Sequence, residues 1–401
     1  MILFITFAIR LIYHFSLHPP LTWSDARLYD GSAWNLINGF GYSYPRGEVS
    51  AAREPGYALF FLVPVYYFFG HSILAAQIIQ IILSAGVVLL IYFLAGRFFN
   101  KKIALLAALI YSLWPADIVF GQEILTEIPA AFLFLIFVIL LVLGIKNESA
   151  GALLASGLIL GAATLTRFTT ILLPFAILFI FVRSFKTFKT SFKFIFLFFI
   201  GFLILVSPWF VRNYIHFNQF VFGRTGAGSI YWSGSYIPGD GEWLGPETPT
   251  LDDAAFKREA IKNIKENPLG VLEIWMKKPF KIFFRTAAYG HRFHSSDILL
   301  NLVLIGGRVM HVLVICLSIL GLIFSYKNER NKILNQTVLV IVAYFSIVLL
   351  PMNPDPRYQI PLMPYFIIFA SVGIWRLIEM VNPCLNRVGV AVRNDPPEKK
   401  R

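Results

Sequence analysis

The chain has 401 residues, of which 57% are hydrophobic and only 14% are charged, and its net charge is +13. Soluble domains carry about 25% charged residues, so this composition excludes a soluble globular protein and indicates a multi-pass membrane protein. In a soluble protein the positive charge would suggest a nucleic-acid partner. Here the basic residues lie between apolar segments, where they set membrane topology, so no nucleic-acid partner is expected.

Ten apolar segments follow one another along the chain, and a membrane-spanning helix needs about 20 residues. The predicted spans cover 1–17, 71–96, 103–120, 126–145, 151–166, 168–182, 194–211, 309–326, 333–351 and 361–380. The fifth and sixth are short, so an alternative is that they form a tilted or partly embedded pair. The sequence therefore predicts an all-α fold of about ten transmembrane helices in a plasma or inner membrane.

Basic residues are concentrated in every second connection between the predicted spans. They occupy 97–102, 146, 183–193 and 327–332, and they recur in the C-terminal tail. Short loops that are rich in Lys and Arg stay cytoplasmic, so both termini are predicted to be cytoplasmic. The first polar loop and the long region after the seventh span are then extracytoplasmic.

The outer regions divide the chain into predicted parts. These are an N-terminal transmembrane module (1–211) with a first outer loop (18–56) and an interfacial run (56–70), an outer subdomain (212–300), C-terminal transmembrane helices (301–382) and a cytoplasmic tail (383–401). The outer subdomain is expected to pack on the membrane surface. Its basic residues are interpreted as contacts to anionic lipid, namely Lys277, Lys278, Lys281 and Arg285.

A candidate catalytic carboxylate, Asp25, lies in the first outer loop. Asp25, Tyr29 and Ala33 recur at four-residue spacing, which places them on one face of a short helix. Gly39 is expected to stop that helix. Asp30 lies on another face and ranks second. A carboxylate here could take the proton of an attacking acceptor hydroxyl as a general base, and the alternative is a solvated loop aspartate without a function.

A second acidic pair, Glu123 and Glu127, lies at the outer mouth of the fourth predicted span. The four-residue spacing puts both side chains on one helical face, and acidic groups at membrane depth are usually functional. Glu127 lies deeper in the segment and is preferred. It could bind a metal, orient the acceptor or hold an arginine, and the alternative is a structural carboxylate at the interface.

Four arginines at span ends are candidate ligands of a phosphate group, namely Arg53, Arg167, Arg212 and Arg357. A guanidinium matches phosphate oxygens in bidentate geometry. For Arg53 the alternative is a local ion pair with Glu54, and for Arg167 it is snorkelling to the interface. Convergence of these arginines on one face would form a site for an anion.

The histidines do not form a recognised metal-binding pattern. His71, His291 and His294 lack the spacing of known metal-ligand motifs. No cofactor is therefore predicted, and a divalent metal at the carboxylates stays an open alternative.

In their order along the chain, these motifs resemble the family 39 membrane glycosyltransferases, which use polyprenyl-phosphate sugars. That family includes the protein O-mannosyltransferases and the bacterial lipid A aminoarabinose transferases. The matching residues are Asp25, Tyr29 and Ala33 followed by 39–42, then 53–57, Thr126 with Glu127, 165–167, Pro208 with Trp209, 212–214, Arg357 with Tyr358, and Pro361. They extend over nearly the whole chain.

The resemblance implies a GT-C-type fold and an inverting sugar transfer on the outer face of the membrane. It implies that Asp25 is the catalytic base, that Glu127 is the second acidic residue, and that the four arginines bind the donor phosphate. Supporting roles fall to Asp30, Tyr29, Glu54, Tyr57, Glu123 and Tyr358. The aminoarabinose transferases carry Glu-Lys-Pro where this chain has Arg-Glu-Pro at 53–55, so neither aminoarabinose nor lipid A is implied as a substrate.

The sequence therefore predicts a transferase that moves a hexosyl or pentosyl group from a polyprenyl-phosphate carrier to a hydroxyl of a lipid, glycan or protein acceptor. One rival is a transporter or flippase of lipid-linked oligosaccharide. That rival needs charged residues inside the spans, whereas here they are expected at span ends. A glycan ligase or polymerase that uses the same donor is the other rival.

Overall fold

The computed structural model describes residues 1–17, 24–44, 46–221, 223–244, 251–286, 298–326 and 328–381. Within these residues the chain is helical, and Ser43 and Val49 pair as an isolated antiparallel bridge. The α-helices are α1 (Ile2–Leu17), α2 (Ser24–Ile37), α3 (Val63–Phe69), α4 (Ile73–Phe98), α5 (Lys101–Ser112), α6 (Pro115–Phe120), α7 (Glu127–Lys146), α8 (Ala150–Thr166), α9 (Leu173–Ser184), α10 (Phe188–Phe217), α11 (Gly228–Ser235), α12 (Asp253–Glu266), α13 (Pro268–Phe284), α14 (Ile298–Tyr326), α15 (Lys332–Val348) and α16 (Met363–Val381). The predictions for His291, His294 and the tail at 383–401 lie outside the described residues.

Six helical segments in the described part of the chain are long and apolar enough to cross a membrane. They are Ile73–Phe98, Glu127–Lys146, Phe188–Phe217, Ile305–Tyr326, Glu329–Val348 and Pro356–Val381. Shorter apolar helices occupy Ile2–Ser16, Ala58–Phe69, Ala150–Thr166 and Phe168–Ser184. The chain is therefore an integral, multi-pass membrane protein, as predicted, while the count of ten spans stays a prediction.

The predicted span at 103–120 consists of two helices rather than one. α5 ends at Ser112 and α6 begins at Pro115, and Trp114 between them has an extended backbone. Proline lacks the N–H that a helix interior needs but is favoured in a first turn. Pro115 therefore starts a new helix and breaks the apolar segment.

Glycines allow α8 and α10 to pack at backbone distance. A Cβ atom on Gly157 would lie 2.0 Å from the carbonyl oxygen of Phe198, and one on Gly201 would lie 2.3 Å from that of Leu154. Membrane helices associate through such small residues because lipid supplies no hydrophobic force between them. The close packing of α8 on α10 fixes the position of the C-terminal end of α8, and Arg167 is the next residue in the chain.

A buried lysine joins the outer subdomain to the membrane helices. Lys278 of α13 donates through Nζ to the carbonyl oxygens of Gly234 at 2.5 Å, Leu350 at 2.6 Å and Met352 at 2.7 Å. The three acceptors match the three donors of an ammonium group. Leu350 and Met352 directly follow α15, so α11 and α13 are held at the end of that helix.

The predicted contact of the α13 basic residues with lipid is wrong for Lys278, which is fully buried. Two of the others are occupied by acidic groups of the subdomain. Lys281 pairs with Glu242 at 2.9 Å, and Arg285 pairs with the same carboxylate at 2.8 Å. These pairs form because Asp240 and Glu242, which precede α12 in the chain, lie against the end of α13 in the fold. The pattern of charges within α13 does not reveal this contact.

A charged network lies buried where α1 meets α4, α5 and α6. Arg10, in the middle of α1, forms an ion pair with Asp117 of α6, and both side chains are fully buried. Arg10 Nε donates to Ser84 Oγ at 2.6 Å, and the Tyr111 hydroxyl donates to Asp117 Oδ1 at 2.8 Å. The expectation that charged residues lie at span ends is therefore wrong for Arg10. The pair persists in an apolar interior because each charge has a partner and further hydrogen bonds.

We expect Asp117→Asn to lower the free energy of unfolding by about 3–5 kcal/mol, because it leaves a buried guanidinium without its counter-charge. Thermal unfolding in detergent micelles measures the change. The double variant Arg10→Met with Asp117→Leu removes both charges and is expected to be more stable than Asp117→Asn alone. Glu329→Gln, at an exposed carboxylate, is the matched control. An Asp117→Asn protein that unfolds at the parent temperature would contradict the assignment.

Candidate functional site

The first outer loop is folded by hydrogen bonds to its own backbone and to α10. The Tyr42 hydroxyl donates to the carbonyl oxygens of Arg53 and Glu54, both at 3.2 Å. Arg212 of α10 donates to the carbonyl oxygens of Ser50 and Tyr42, both at 2.8 Å. Arg212 was predicted to bind phosphate, but its described hydrogen bonds hold the loop, so its geometry is that of a positioning residue.

A glycine brings the loop against the end of α8. A Cβ atom on Gly56 would lie 2.6 Å from the backbone carbon of Leu165 and the backbone nitrogen of Thr166. Any other residue here would push the loop away, because those atoms are backbone and have no freedom to move aside. The contact brings Arg53, three residues before Gly56, toward Arg167, which directly follows α8.

Asp25 and Arg53 form an ion pair at the start of α2. The Arg53 Nη2 atom donates to Asp25 Oδ1, and Nη1 donates to the carbonyl oxygen of Ala52 at 2.7 Å. Burial alone raises the pKa of the Asp25 carboxyl. The charge and hydrogen bond of Arg53, with smaller contributions from Arg357 and Arg224, lower it by more than burial raises it. The pKa of Asp25 therefore lies below its ordinary value. Asp25 is therefore an ionised carboxylate at neutral pH.

Glu127 is held between two guanidiniums at the start of α7. Its Oε1 atom lies 3.0 Å from Arg167 Nη1 and 3.7 Å from Arg357 Nη1, and its side chain is 4% exposed. Arg167 Nη1 also donates to Thr126 Oγ1 at 3.3 Å. Among the described residues, Oε2 of Glu127 accepts no hydrogen bond. The contacts agree with the alternative in which this carboxylate holds an arginine, and it contacts two of them.

The loop before α16 supplies Arg357 and Tyr358. Asp355 accepts from the backbone N–H and the Nε of Arg357, both at 2.9 Å, which fixes the guanidinium. The Arg167 guanidinium lies over the Tyr358 ring at 5.4 Å from its centroid. Arg53, Arg167 and Arg357 thus meet Asp25 and Glu127 in one constellation, which they reach from three separate loops.

Arg224 is a member of the constellation that sequence reasoning missed. The N–H of Thr225 donates to the carbonyl oxygen of Ala51 at 2.9 Å, and Gly223 packs against the Phe168 ring. Arg224 thus lies between the neighbours of Arg53 and of Arg167, and its charge lowers the pKa of Asp25. Unlike Arg53, Arg167 and Arg357, it has no ion pair with any described residue. A signal was present, because it precedes the glycine-rich turn at 226–228.

Asp30 lies on a different face of α2 from Asp25, as predicted. It accepts from the Tyr66 hydroxyl at 2.5 Å, and its Oδ1 atom lies 2.8 Å from His71 Nε2. The His71 ring is stacked on Trp34 at 4.6 Å between centroids. These contacts engage Asp30 in a separate cluster at the end of α3, so it does not join the Asp25 ion pair.

The remaining predicted supporting residues line the inner wall of the site. Tyr29 and Tyr57 are buried and meet edge to face at 5.4 Å between centroids. Gln80 of α4 donates to the Tyr57 hydroxyl at 3.0 Å and to the backbone carbonyl of Glu123 at 2.5 Å. The side chain of Glu123 is buried beside them, and Glu54 is half-buried next to Arg53.

In the described ranges no three His, Cys, Asp or Glu side chains lie close enough together to hold a metal ion. His71 has Asp30 as its acidic neighbour, while His291 and His294 fall outside those ranges.

The chain has the GT-C-type, all-α fold that the sequence predicts. It is similar to ArnT from Cupriavidus metallidurans in a crystal structure with undecaprenyl phosphate, with a TM-score of 0.58 and 15% identity over 93% of this chain and 60% of that one. It is also similar to the Archaeoglobus fulgidus oligosaccharyltransferase in its apo form, with a TM-score of 0.59, 12% identity, and coverage of 98% of this chain and 52% of that one. AglB from the same organism, in complex with an inhibitory peptide and a dolichol-phosphate, matches with a TM-score of 0.54, 12% identity, and coverage of 100% and 52%. The chain thus spans less than two thirds of the length of each.

The more specific match concerns residues 54–211, which fit the family model described as dolichyl-phosphate-mannose-protein mannosyltransferase. The matched stretch contains Glu54, Glu127 and Arg167, whereas Asp25 and Arg357 lie outside it. This match, together with the fold, confirms the resemblance to the family 39 membrane glycosyltransferases. No curated protein sequence matches the chain.

The Asp25–Arg53 pair predicts a pH-dependent contribution to stability. A carboxyl whose folded-state pKa is depressed stabilises the fold above its unfolded pKa of about 3.9, and the contribution is lost as the pH falls through the lower folded value. We therefore expect Asp25→Asn to lower stability by at most about 1 kcal/mol at neutral pH, because the pair is partly exposed. The difference should vanish in acid. Unfolding temperatures of the parent and Asp25→Asn proteins, measured across pH in detergent, check this. A difference that grows as the pH falls would contradict the ion pair.

Proposed function

We propose that the chain is an inverting glycosyltransferase that moves a sugar from a polyprenyl-phosphate carrier to an acceptor hydroxyl on the extracytoplasmic face of the membrane. The observation that carries the proposal is an ionised carboxylate, Asp25, among guanidiniums that lie at the ends of apolar helices. A transferase with an anionic leaving group needs this combination, because one group must accept a proton while others stabilise developing negative charge.

The reaction is a single displacement at the anomeric carbon of the donor. The acceptor oxygen attacks this carbon as its proton passes to Asp25, and the bond between the anomeric carbon and the phosphate oxygen breaks. The polyprenyl phosphate leaves with the bonding electron pair, and the configuration at the carbon inverts. The Arg53 ion pair keeps Asp25 ionised, so it is ready to accept the proton, and it also orients the carboxylate.

The leaving phosphate is bound by donors that have no partner within the described chain. Arg224 has no ion pair there, and Arg53 Nε is buried without a hydrogen-bond acceptor. Arg167 and Arg357 are already paired with Glu127, so their charge is partly offset. They contribute fixed donors, whereas Arg224 contributes an uncompensated charge. Preorganised cations of this kind stabilise the charge that develops in the transition state.

A lipid-linked donor is supported by the surroundings of the cations. Apolar side chains lie beside Arg167, namely those of Ala130, Phe134, Ala163, Phe345 and Pro361. On the other side of the first outer loop, α3 exposes Tyr67, Phe68 and Phe69. A phosphate that carries an isoprenoid tail satisfies both environments at once, because its charged head and its hydrocarbon need neighbouring polar and apolar sites. Two of the similar structures hold undecaprenyl phosphate and dolichol-phosphate.

Asp25→Asn tests the assignment of the base. The amide has no charge and accepts a proton far less readily, so we expect sugar transfer to fall about 100-fold or more. The measurement is transfer of radiolabelled sugar in proteoliposomes that contain polyprenyl-phosphate sugars from the native membrane. Glu329→Gln is the control. An Asp25→Asn protein with parent-level transfer would overturn the mechanism, and one that still moves lipid-linked sugar across the bilayer would identify a transporter.

Arg224→Ala tests the phosphate site independently of the base. A hydrogen bond to a charged group is worth about 1.5–3 kcal/mol, so we expect the KM for the donor to rise about tenfold or more. Arg224→Lys keeps the charge and is expected to recover part of the loss. Arg258→Ala, at an exposed arginine of α12, is the matched control. An Arg224→Ala protein whose donor KM equals that of the Arg258→Ala protein would exclude Arg224 from donor binding.

A further inference from the structure

The helix α13 carries an apolar face that no described part of the chain covers. Leu269, Leu272, Met276 and Phe280 are 78%, 50%, 69% and 66% exposed. Their spacings of three and four residues put them on one side of the helix. The opposite side is buried through Val271, Ile274, Lys278 and Ile282. The helix is thus apolar on its free face and anchored by its other face.

The C-terminal end of α13 lies at membrane depth. His311 Nε2 lies 2.9 Å from the carbonyl oxygen of Phe283 and is bonded to it. His311 lies in the N-terminal half of α14, and the part of α14 whose side chains the structure describes is long and apolar enough to cross a membrane. The Phe283 ring also meets the Phe366 ring of α16 edge to face at 5.7 Å. Both partners belong to segments that are long enough to span the membrane.

The middle of α13 lies higher, at the end of a span. Lys278 Nζ bonds to the carbonyl oxygens of Leu350 and Met352, two and four residues beyond the end of α15. The helix therefore descends from the outer subdomain toward the spans as it runs from Lys278 to Phe283. Its free apolar face turns away from the protein along this descent.

We infer that α13 is embedded obliquely in the leaflet on the side of Asp25, with Leu269, Leu272, Met276 and Phe280 in contact with lipid acyl chains. The contacts of Phe283 with α14 and α16 argue for lipid, because both helices belong to segments that are long and apolar enough to cross a membrane. The same apolar exposure continues on α14 at Val309 and Leu313. Amphipathic helices of this kind bury their apolar face about 5–10 Å into the boundary between headgroups and acyl chains. The inference does not depend on the proposed reaction.

The charged residues of α13, and Arg285 directly after it, fit this orientation. Glu273 and Lys277 pair with each other at 2.7 Å on the helix surface, and Lys281 and Arg285 pair with Glu242 of the subdomain. Each charge beside the apolar face thus has a counter-charge, which lowers the cost of placing it near hydrocarbon. The embedded helix would also brace the turn at 350–352, which leads to Asp355 and Arg357.

Single-cysteine labelling in nanodiscs tests the inference. The background is the full chain with Cys316→Ser and Cys384→Ser, and the labelled positions are Leu272→Cys, Met276→Cys and Phe280→Cys, each modified with a bimane fluorophore. Lys262→Cys, exposed on the polar helix α12, is the matched control. Discs are made with phospholipid brominated in its acyl chains, and iodide serves as the aqueous quencher.

We expect bromolipid to quench the three α13 positions at least twofold more than position 262, and iodide to quench them less. Gel filtration of each labelled protein checks that the fold is retained, and the three exposed positions allow one failed variant to be replaced by another. Iodide quenching at 276 equal to that at 262 would overturn the inference. Protection from both quenchers would also overturn it, because the face would then be covered by protein, either a second copy or a partner.

Discussion

A buried carboxylate between two guanidiniums, Glu127 with Arg167 and Arg357, is the interaction on which the site depends. Each charge is costly to remove from water, and the arrangement persists because the three groups satisfy one another. Glu127 begins α7, Arg167 follows α8, and Arg357 belongs to the segment before α16. Three distant stretches of the chain are thereby joined at one place in the fold. The first outer loop then packs on this junction through Gly56.

This pairing has a consequence for the chemistry of the site. Arg53, Arg167 and Arg357 are held by carboxylates before any ligand arrives, so their donors need little reorganisation to meet an anion. Arg224 differs because no described carboxylate neutralises it. The three guanidiniums that are paired with carboxylates fix the positions of the hydrogen-bond donors. Arg224 adds a positive charge that no described carboxylate offsets, and this charge attracts an anion. A phosphate head group would therefore be steered by Arg224 and oriented by the others.

Much of this architecture could be predicted from sequence, because it follows from local pattern. The four-residue spacing of Asp25, Tyr29 and Ala33 predicts a helix, and the observed helix α2 ends before Gly39. The preference for Glu127 over Glu123 rests on its deeper position in the apolar segment. The rest depends on contacts between distant segments. A hydropathy average hides a single arginine such as Arg10, and no spacing rule links it to Asp117. The same limit applies to Arg224 and to Lys278, whose partners are distant carbonyl groups and loops.

The pairing of Arg10 with Asp117 also bears on how the protein is made. α1 leaves the ribosome before α6, with a guanidinium near its middle, and its counter-charge is synthesised 107 residues later. An isolated helix with an unpaired arginine is poorly accommodated in hydrocarbon. We therefore expect the insertion of α1 to become more favourable once α6 has emerged and Asp117 can pair with Arg10. The ion pair thus couples the stable insertion of α1 to the synthesis of the third predicted span, which contains Asp117.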